Sequence, residues 1–278
     1  MTDGPRGVLL DVDGTLVDSV YHHALAWQEA FAGHGLQVPV HVCHRYIGMG
    51  GDQLVTAVAG DDVERRLGDA LRTAHDEAFS TRLESVPPLP GAADLLRTLH
   101  GRGHTLVLAS SGKEHEVDHY VGLLGAADLI QDATTSKDVT HTKPDPDAME
   151  TALEALGHRD AVMVGDSPWD VESAARAGIP CIGVLTGGFC RDQLSDAVTV
   201  VATLAEVPAA IASLGRQDEG VADLEDALTR LEGEVAADPG LAQDEGRFGE
   251  TVDRIADGDP ELRGRLRALR DKFLEAGS

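Results

Sequence analysis

The chain of 278 residues carries 48 acidic and 23 basic side chains, a formal net charge of -25, and is 42% hydrophobic. This length predicts one globular domain plus additional structure, and the negative charge disfavours nucleic acid and anionic membranes as partners because both are polyanions. Three cysteines without metal-site spacing, no bilayer-spanning apolar run and no expected signal peptide together predict a reduced, cytoplasmic protein.

The first predicted element is a buried strand, residues 8–10, which leads into two acids. Asp11 and Asp13 are two residues apart, so extended backbone places both carboxylates on one face, and Gly14 lets the chain leave the sheet. Acids at the carboxyl end of a first strand lie where open α/β folds place their chemistry. Taken alone, the motif is also compatible with an acidic loop that has no catalytic role.

The next segment is rich in helical patterns and contains no convincing strand. Asp18 or Ser19 can cap the first helix, which we expect to end near residue 33. Three further helices are predicted, over residues 53–59, 62–71 and 72–83. A stiff proline-rich segment, residues 86–91, follows them. We therefore predict a helical insertion, the cap, over residues 19–86.

Five histidines fall in this cap, and none has the spacing of a metal site. Most are expected to be ordinary surface or hydrogen-bonded histidines. His22 and His23 are the exceptions, because they directly follow the hinge that we expect near Asp18. We predict that they face a functional site.

A second buried strand is predicted at residues 105–109, between helices expected at 92–100 and 114–124. It ends in Ser110 and Ser111, followed by a glycine. Hydroxyl and backbone N–H groups in such a loop can bind phosphate, so both serines are candidate phosphate-binding residues. Serine is also common at strand ends for turn chemistry alone.

Lys143 precedes a proline and a helix that Asp145 could cap, with Pro146 as its first residue. A cation at this position could neutralise both a bound phosphate and a nearby carboxylate. Considered by itself, the motif is better explained by an exposed loop lysine.

A third buried strand, residues 161–165, ends in Asp166. We expect this acid to lie near Asp11 and Asp13, and three converging carboxylates repel one another unless a divalent cation such as Mg²⁺ is bound. Asp170, one helical turn further on, could bind a metal-bound water, orient Lys143 or cap its helix.

Further strands at 181–184 and 198–201 and a closing helix at 204–214 complete the alternation of strands and helices. The pattern predicts an α/β fold, a Rossmann-like parallel sheet core formed by residues 1–18 and 87–214. Residues 215–278 form an acidic helical C-terminal extension with nearly heptad apolar spacing, broken at 238–240 and 258–260. We expect it to dock on the core or to associate with another chain, its own copy or a partner protein.

Four motifs stand in the order found in the haloacid dehalogenase superfamily, which the chain resembles over residues 6–214. They are Asp11-Val12-Asp13-Gly14-Thr15 for DxDGT, Ser110 at a strand end, Lys143-Pro144 before a helix, and Gly165-Asp166-Ser167-Pro168-Trp169-Asp170 for GDxxxD. The resemblance implies a Mg²⁺-dependent phosphatase that acts on a small phosphorylated metabolite.

The resemblance also implies roles for individual residues. Asp11 attacks phosphorus and forms an aspartyl phosphate, while Asp13 serves as acid and base and needs a raised pKa. Mg²⁺ is held by Asp11, Asp166 and the backbone carbonyl of Asp13. The phosphoryl oxygens are held by Lys143 and Ser110.

Residues 18–27 resemble the phosphoglycolate phosphatase and β-phosphoglucomutase branch of the superfamily. Dehalogenases lack an acid at the position of Asp13. A phosphomutase would grip a second phosphate with a cap arginine and lysine, and the glycine-rich residues 46–52 contain neither, although Arg45 is near. Hydrolysis of a phosphoglycolate-like or sugar phosphate substrate is therefore favoured, with a phosphomutase as the alternative. A second alternative is a binding protein of this fold that acts through its C-terminal helices.

Overall fold

The computed structural model describes residues 4–138, 142–238, 240–257 and 259–276, so that Pro239 and Gly258 of the predicted helix breaks lie outside it. Six strands alternate with helices along the chain and form one parallel sheet in the order β3-β2-β1-β4-β5-β6. The strands are β1 (Gly7–Leu10), β2 (Thr105–Ala109), β3 (Ile130–Thr134), β4 (Ala161–Gly165), β5 (Cys181–Val184) and β6 (Thr199–Val201). The predicted α/β fold class is confirmed.

The central strands are apolar along their whole length because both faces of the sheet are covered. Every residue of β1, β4 and β5 is buried, which is typical of parallel strands between helical layers. Leu10 of β1 lies opposite Leu108 of β2 and Val164 of β4. The carboxyl ends of these three strands are therefore level, at the point where the strand order changes direction, and this is where open α/β sheets form binding crevices.

Most of residues 20–85 are helical, as expected for the inserted segment. They form α1 (Val20–Gly33), α2 (Val40–Arg45), α3 (Gly51–Ala59), α4 (Asp61–Ser80) and a 3₁₀ turn at Leu83–Ser85. The helices share an apolar cluster that contains Trp27, Phe31 and Leu71. The backbone N–H of Asp18 donates to the carbonyl of Pro87 at 3.0 Å, so the two hinge regions are hydrogen-bonded to each other.

Two local predictions in this segment are wrong. The helices expected at 62–71 and 72–83 are one helix, α4, because buried side chains recur every four residues at Leu71, His75 and Phe79 and keep a single face inward. Ser19 is the N-cap residue of α1, yet its side chain makes no capping bond. Its hydroxyl instead donates to the Asp13 carboxylate.

Four more helices cover the sheet, namely α5 (Ala92–Gly101), α6 (Glu114–Leu124), α7 (Asp147–Leu156) and α8 (Pro168–Arg176). Of these, α7 begins one residue later than predicted, with Pro146 as its N-cap residue. The Asp145 carboxylate accepts the N–H of Asp147 at 3.3 Å. The helix predicted to end at residue 214, α9 (Val207–Ala237), is longer than expected.

The chain divides into two compact units, one ending at Ala212 and one beginning at Ser213. The second unit contains α10 (Glu245–Ile255), α11 (Pro260–Arg267) and α12 (Arg270–Ala276). Leu231, Phe248 and Val252 are among the buried residues of its own apolar cluster. Association through residues 215–278 stays a prediction. Across the described residues, no helix combines the length and apolarity that crossing a bilayer requires.

Candidate active site

Three carboxylates and one ammonium group meet beneath the carboxyl ends of β1 and β4. Ligand atoms of Asp11, Asp166 and Asp170 lie within 4.8 Å of one another, and all three residues are buried. Lys143 Nζ lies 2.5 Å from Asp11 Oδ1 and 2.7 Å from Asp170 Oδ1, and its side chain is fully buried. One ammonium thus faces three acids, which leaves an excess of negative charge.

Hydrogen bonds from neighbouring loops hold this cluster in place. Thr15 Oγ1 donates to Asp166 Oδ1 at 3.0 Å. The Asp170 carboxylate accepts the Ser167 hydroxyl at 2.6 Å and the Ser167 N–H at 3.1 Å, which is the capping arrangement at the start of α8. Asp170 therefore both caps its helix and contacts Lys143, which are two of the three roles considered for it from the sequence.

A glycine in the loop after β5 provides the space that Asp166 needs. A Cβ atom at Gly187 would collide with the Asp166 carboxylate. Gly14, with φ of +82°, lets the backbone turn sharply after Asp13, and a Cβ atom there would also collide with the Asp166 carboxylate.

The electrostatics of the cluster fit a bound divalent cation. Burial raises the pKa of Asp11, against the lowering effect of Lys143, and burial together with Asp11 and Asp170 raises the pKa of Asp166. Two partner carboxylates raise the pKa of Lys143 despite its burial, so it stays charged. Carboxylate oxygens are the ligands that Mg²⁺ prefers, and a second cation would offset the remaining negative charge. The residues present therefore fit this metal.

The Asp13 carboxylate belongs to a different network. It accepts the Ser19 hydroxyl, and His23 Nε2 lies 3.2 Å from its Oδ1. Burial alone would raise the pKa of Asp13, but the charge and hydrogen bond of His23 and the bond from Ser19 outweigh it and lower the pKa. Asp13 in turn raises the pKa of His23 above its usual value. The expectation of a raised pKa at Asp13 is therefore wrong for this arrangement, in which Ser19 and His23 favour the ionised form of the carboxylate.

A row of side chains continues from Asp13 through the cap. His23 Nδ1 lies 3.2 Å from His75 Nε2, and His75 Nδ1 lies 3.4 Å from Asp76 Oδ1. Asp76 forms an ion pair with Lys113 of the core. Burial lowers the pKa of His75 to about 4, so it is neutral near pH 7 and can accept from His23 while donating to Asp76.

A cavity of about 310 Å³ lies above Asp11 and Asp13, between the cap and the core. Its lining from the cap includes His23, Trp27, Asp52, Arg72, His75 and Asp76, and its lining from the core includes Ser111, Gly112, Lys113 and Glu116. The volume suits a small ligand.

The two serine candidates occupy different positions. Ser111 lines the cavity, and its hydroxyl donates to the carbonyl of Gly48 in the cap at 3.4 Å. Ser110 is buried, and its Oγ accepts the N–H of Gly112 at 2.9 Å. Of the histidine candidates, His23 lines the cavity, whereas His22 is half-buried and is not among the lining residues.

Several residues that line the cavity were not predicted from the sequence. Arg72, His75 and Asp76 share one face of α4 at spacings of three and four residues. Polar residues at these spacings next to the buried Leu71 and Phe79 were the available signal. Lys113 and Glu116 also line the cavity, and neither was predicted as a site residue.

Comparison with known proteins supports the motif assignment. Residues 5–178 match the family model of haloacid dehalogenase-like hydrolases. The validoxylamine A 7'-phosphate phosphatase of Streptomyces hygroscopicus subsp. limoneus is 29% identical over 72% of this chain and 94% of the relative. The phosphoglycolate phosphatase of Rhodospirillum rubrum is 31% identical over 69% of this chain and 83% of the relative. A hydrolase from Pseudomonas syringae has a similar structure, with a TM-score of 0.68 and 28% identity over 77% of this chain and 98% of that one.

Proposed function

Since the chain belongs to the haloacid dehalogenase-like hydrolase family and is a phosphatase of its phosphoglycolate phosphatase and β-phosphoglucomutase-like branch, we propose that it hydrolyses a small phosphate monoester through an aspartyl phosphate on Asp11. The observation that carries this proposal is the buried contact of Lys143 with Asp11 beside two further acids. Asp11 is thus held at the floor of the cavity between cap and core, with a cation next to it.

We assign Mg²⁺ to the carboxylate cluster. Asp11 and Asp166 would hold it together with the backbone carbonyl of Asp13, and Asp170 stays on Lys143 and Ser167. When bound, Mg²⁺ supplies positive charge that offsets the charge of the phosphoryl group as the nucleophile approaches. Lys143 supplies a second positive charge next to Asp11. The loop that contains Ser110 and Ser111 supplies hydroxyl and N–H groups for the phosphoryl oxygens.

In the first half of the reaction, an Asp11 carboxylate oxygen attacks phosphorus in line with the ester oxygen. A phosphorus–oxygen bond forms to Asp11 and the ester bond breaks. The Asp13–His23 pair holds one proton, and Asp13 passes it to the departing oxygen. Ser19 and His23 orient the Asp13 carboxylate for this transfer.

In the second half, a water molecule attacks phosphorus and the bond to Asp11 breaks. Asp13 accepts the proton of that water, which restores the proton on the Asp13–His23 pair and frees the Asp11 carboxylate. The cap contacts the core beside this site, where Ser111 donates to the carbonyl of Gly48 and Lys113 pairs with Asp76. These contacts limit the access of bulk water during the first half of the cycle.

Hydrolysis of p-nitrophenyl phosphate tests the proposal. We expect turnover with Mg²⁺, none with EDTA and none for Asp11→Asn. Asp13→Asn should still release p-nitrophenol once, because this leaving group needs no proton, and should then accumulate protein heavier by one phosphoryl group. Full turnover by Asp11→Asn would show that another residue is the nucleophile.

The phosphomutase alternative receives weaker support. Arg72 and Lys113 both line the cavity, as a second phosphate would require, but each is already paired with carboxylates. Names of relatives are consistent with small phosphorylated metabolites, since one acts on phosphoglycolate and one on validoxylamine A 7'-phosphate. Formation of a second phosphate ester from a sugar phosphate and a bisphosphate, in place of free phosphate, would favour the mutase.

A further inference from the structure

We propose that the substrate is the monophosphate of an uncharged, hydroxyl-rich alcohol such as a sugar or polyol, and that the cavity discriminates against leaving groups with their own carboxylate or second phosphate. The inference rests on the proposed phosphatase function and narrows its substrate class. It follows from the charges around the space that the leaving group must occupy.

Glu116 places a carboxylate beside the position of the leaving group. This residue is 6% exposed and lines the cavity, and its Oε2 accepts the N–H of Lys113 at 3.0 Å. A methyl group added at Gly112 would lie 3.3 Å from Glu116 Oε2 and 3.5 Å from Asp13 Oδ2. The two carboxylates therefore border the same point. An anionic group attached to the leaving oxygen would approach both, in a partly desolvated space where repulsion is strong.

The cations of the cavity are already neutralised by acids. Arg72 Nη1 contacts Glu64 at 2.9 Å and the carbonyl of Gly51 at 3.2 Å, and its Nη2 contacts Asp69 at 2.8 Å. Lys113 is paired with Asp76. An incoming carboxylate or phosphate would compete with these acids for the two cations, because the described lining residues of the upper cavity offer no cation outside an ion pair.

Uncharged hydroxyl groups fit the same surface. The carboxylates of Asp52, Asp76 and Glu116 are hydrogen-bond acceptors, and all three line the cavity. Trp27 and His75 stack with ring centroids 4.3 Å apart and form an aromatic wall. A sugar or polyol presents both hydroxyl donors and apolar C–H faces, so it can use the acceptors and the wall together.

A substrate comparison tests the inference in the full-length protein with Mg²⁺. The probes are glucose 6-phosphate and glycerol 3-phosphate, whose leaving groups are uncharged, and 2-phosphoglycolate and fructose 1,6-bisphosphate, whose leaving groups are anionic. We expect kcat/KM to be at least roughly tenfold higher for the better uncharged probe than for either anionic probe. A kcat/KM for phosphoglycolate or the bisphosphate that equals or exceeds both uncharged probes would overturn the inference. Absence of p-nitrophenyl phosphate turnover would instead overturn the phosphatase proposal itself.

Charge-removing variants test the cause of the preference. Glu116→Gln removes a negative charge but keeps an acceptor for the Lys113 N–H, and Asp76→Asn releases the Lys113 ammonium. Each variant should therefore raise the kcat/KM for phosphoglycolate, relative to that for glucose 6-phosphate, about tenfold. Asp128→Asn, an exposed acid outside the cavity, is the matched control and should leave the ratio unchanged. The urea unfolding midpoint of each variant checks that it is folded. An unchanged ratio in both cavity variants would refute the role of these carboxylates.

Discussion

Replacing Lys143 by methionine should strongly destabilise the unit that carries the active site. The ammonium contacts Asp11 at 2.5 Å and Asp170 at 2.7 Å, and no part of its side chain reaches solvent. Methionine has a similar length but no charge, so the variant leaves three buried acids without their protein cation. Breaking a buried ion pair from one side costs about 3–5 kcal/mol, roughly a hundred- to several-thousandfold in the unfolding equilibrium constant.

Urea unfolding without Mg²⁺ measures this loss. Both tryptophans of the chain, Trp27 and Trp169, belong to the first unit, so their fluorescence reports on that unit alone. The control is Lys137→Met, whose ammonium is exposed and pairs with Glu114 on the surface. Exposed pairs contribute little, so the control should unfold at the urea concentration of the unmodified protein.

A pH series distinguishes charge from packing as the cause. Burial already raises the pKa values of Asp11 and Asp166, and loss of the Lys143 charge should raise them further. The folded state is therefore favoured when they are protonated, and the defect should shrink as pH falls from 8 towards 5. Asp11→Asn in the same background should restore part of the lost stability, since it removes one of the unpaired charges. Equal urea midpoints for Lys143→Met and the unmodified protein would refute the reasoning.

Three further results are expected. Mg²⁺ at one hundred times its dissociation constant should stabilise the protein by about 2.7 kcal/mol, seen as a thermal shift that Asp166→Asn removes; a persistent shift in that variant would place the metal elsewhere. Gly187→Ala should abolish both the activity and the thermal shift with Mg²⁺, because the new Cβ atom would collide with Asp166. Gly101 has open space around its Cα, so Gly101→Ala should behave like the unmodified protein. Buried His75 contributes stability that rises between pH 4 and 6.5, because the unfolded state binds a proton that the folded His75, with its pKa of about 4, does not. His75→Phe should therefore make the slope of urea midpoint against pH less positive over this range than in the unmodified protein, and equal slopes in the two proteins would refute this contribution.

The sheet and its acids could be predicted because their signals are local. A run such as residues 161–165 is apolar throughout only when both faces of a strand are covered, and the acid that follows it must then lie at the sheet edge. Parallel pairing brings the ends of β1, β2 and β4 level, so Asp11, Ser110 and Asp166 could be assigned to one edge before their positions were known. The exact ends of helices were harder to predict, as the start of α7 shows. A side chain that can cap a helix can also form other hydrogen bonds, and the sequence does not indicate which of them forms.

Patterns along the chain were sufficient to predict the fold class, the family motifs and the acidic residues of the floor. The partners of those residues depend on how distant segments pack together. His23 of α1 lies 3.2 Å from the Asp13 carboxylate and lowers its pKa. Asp76 of α4 forms an ion pair with Lys113 of the core. Electrostatic energies depend on the distance between charges, and these charges belong to residues that are far apart in the chain. Sequence patterns indicate only which residues share a face of one element.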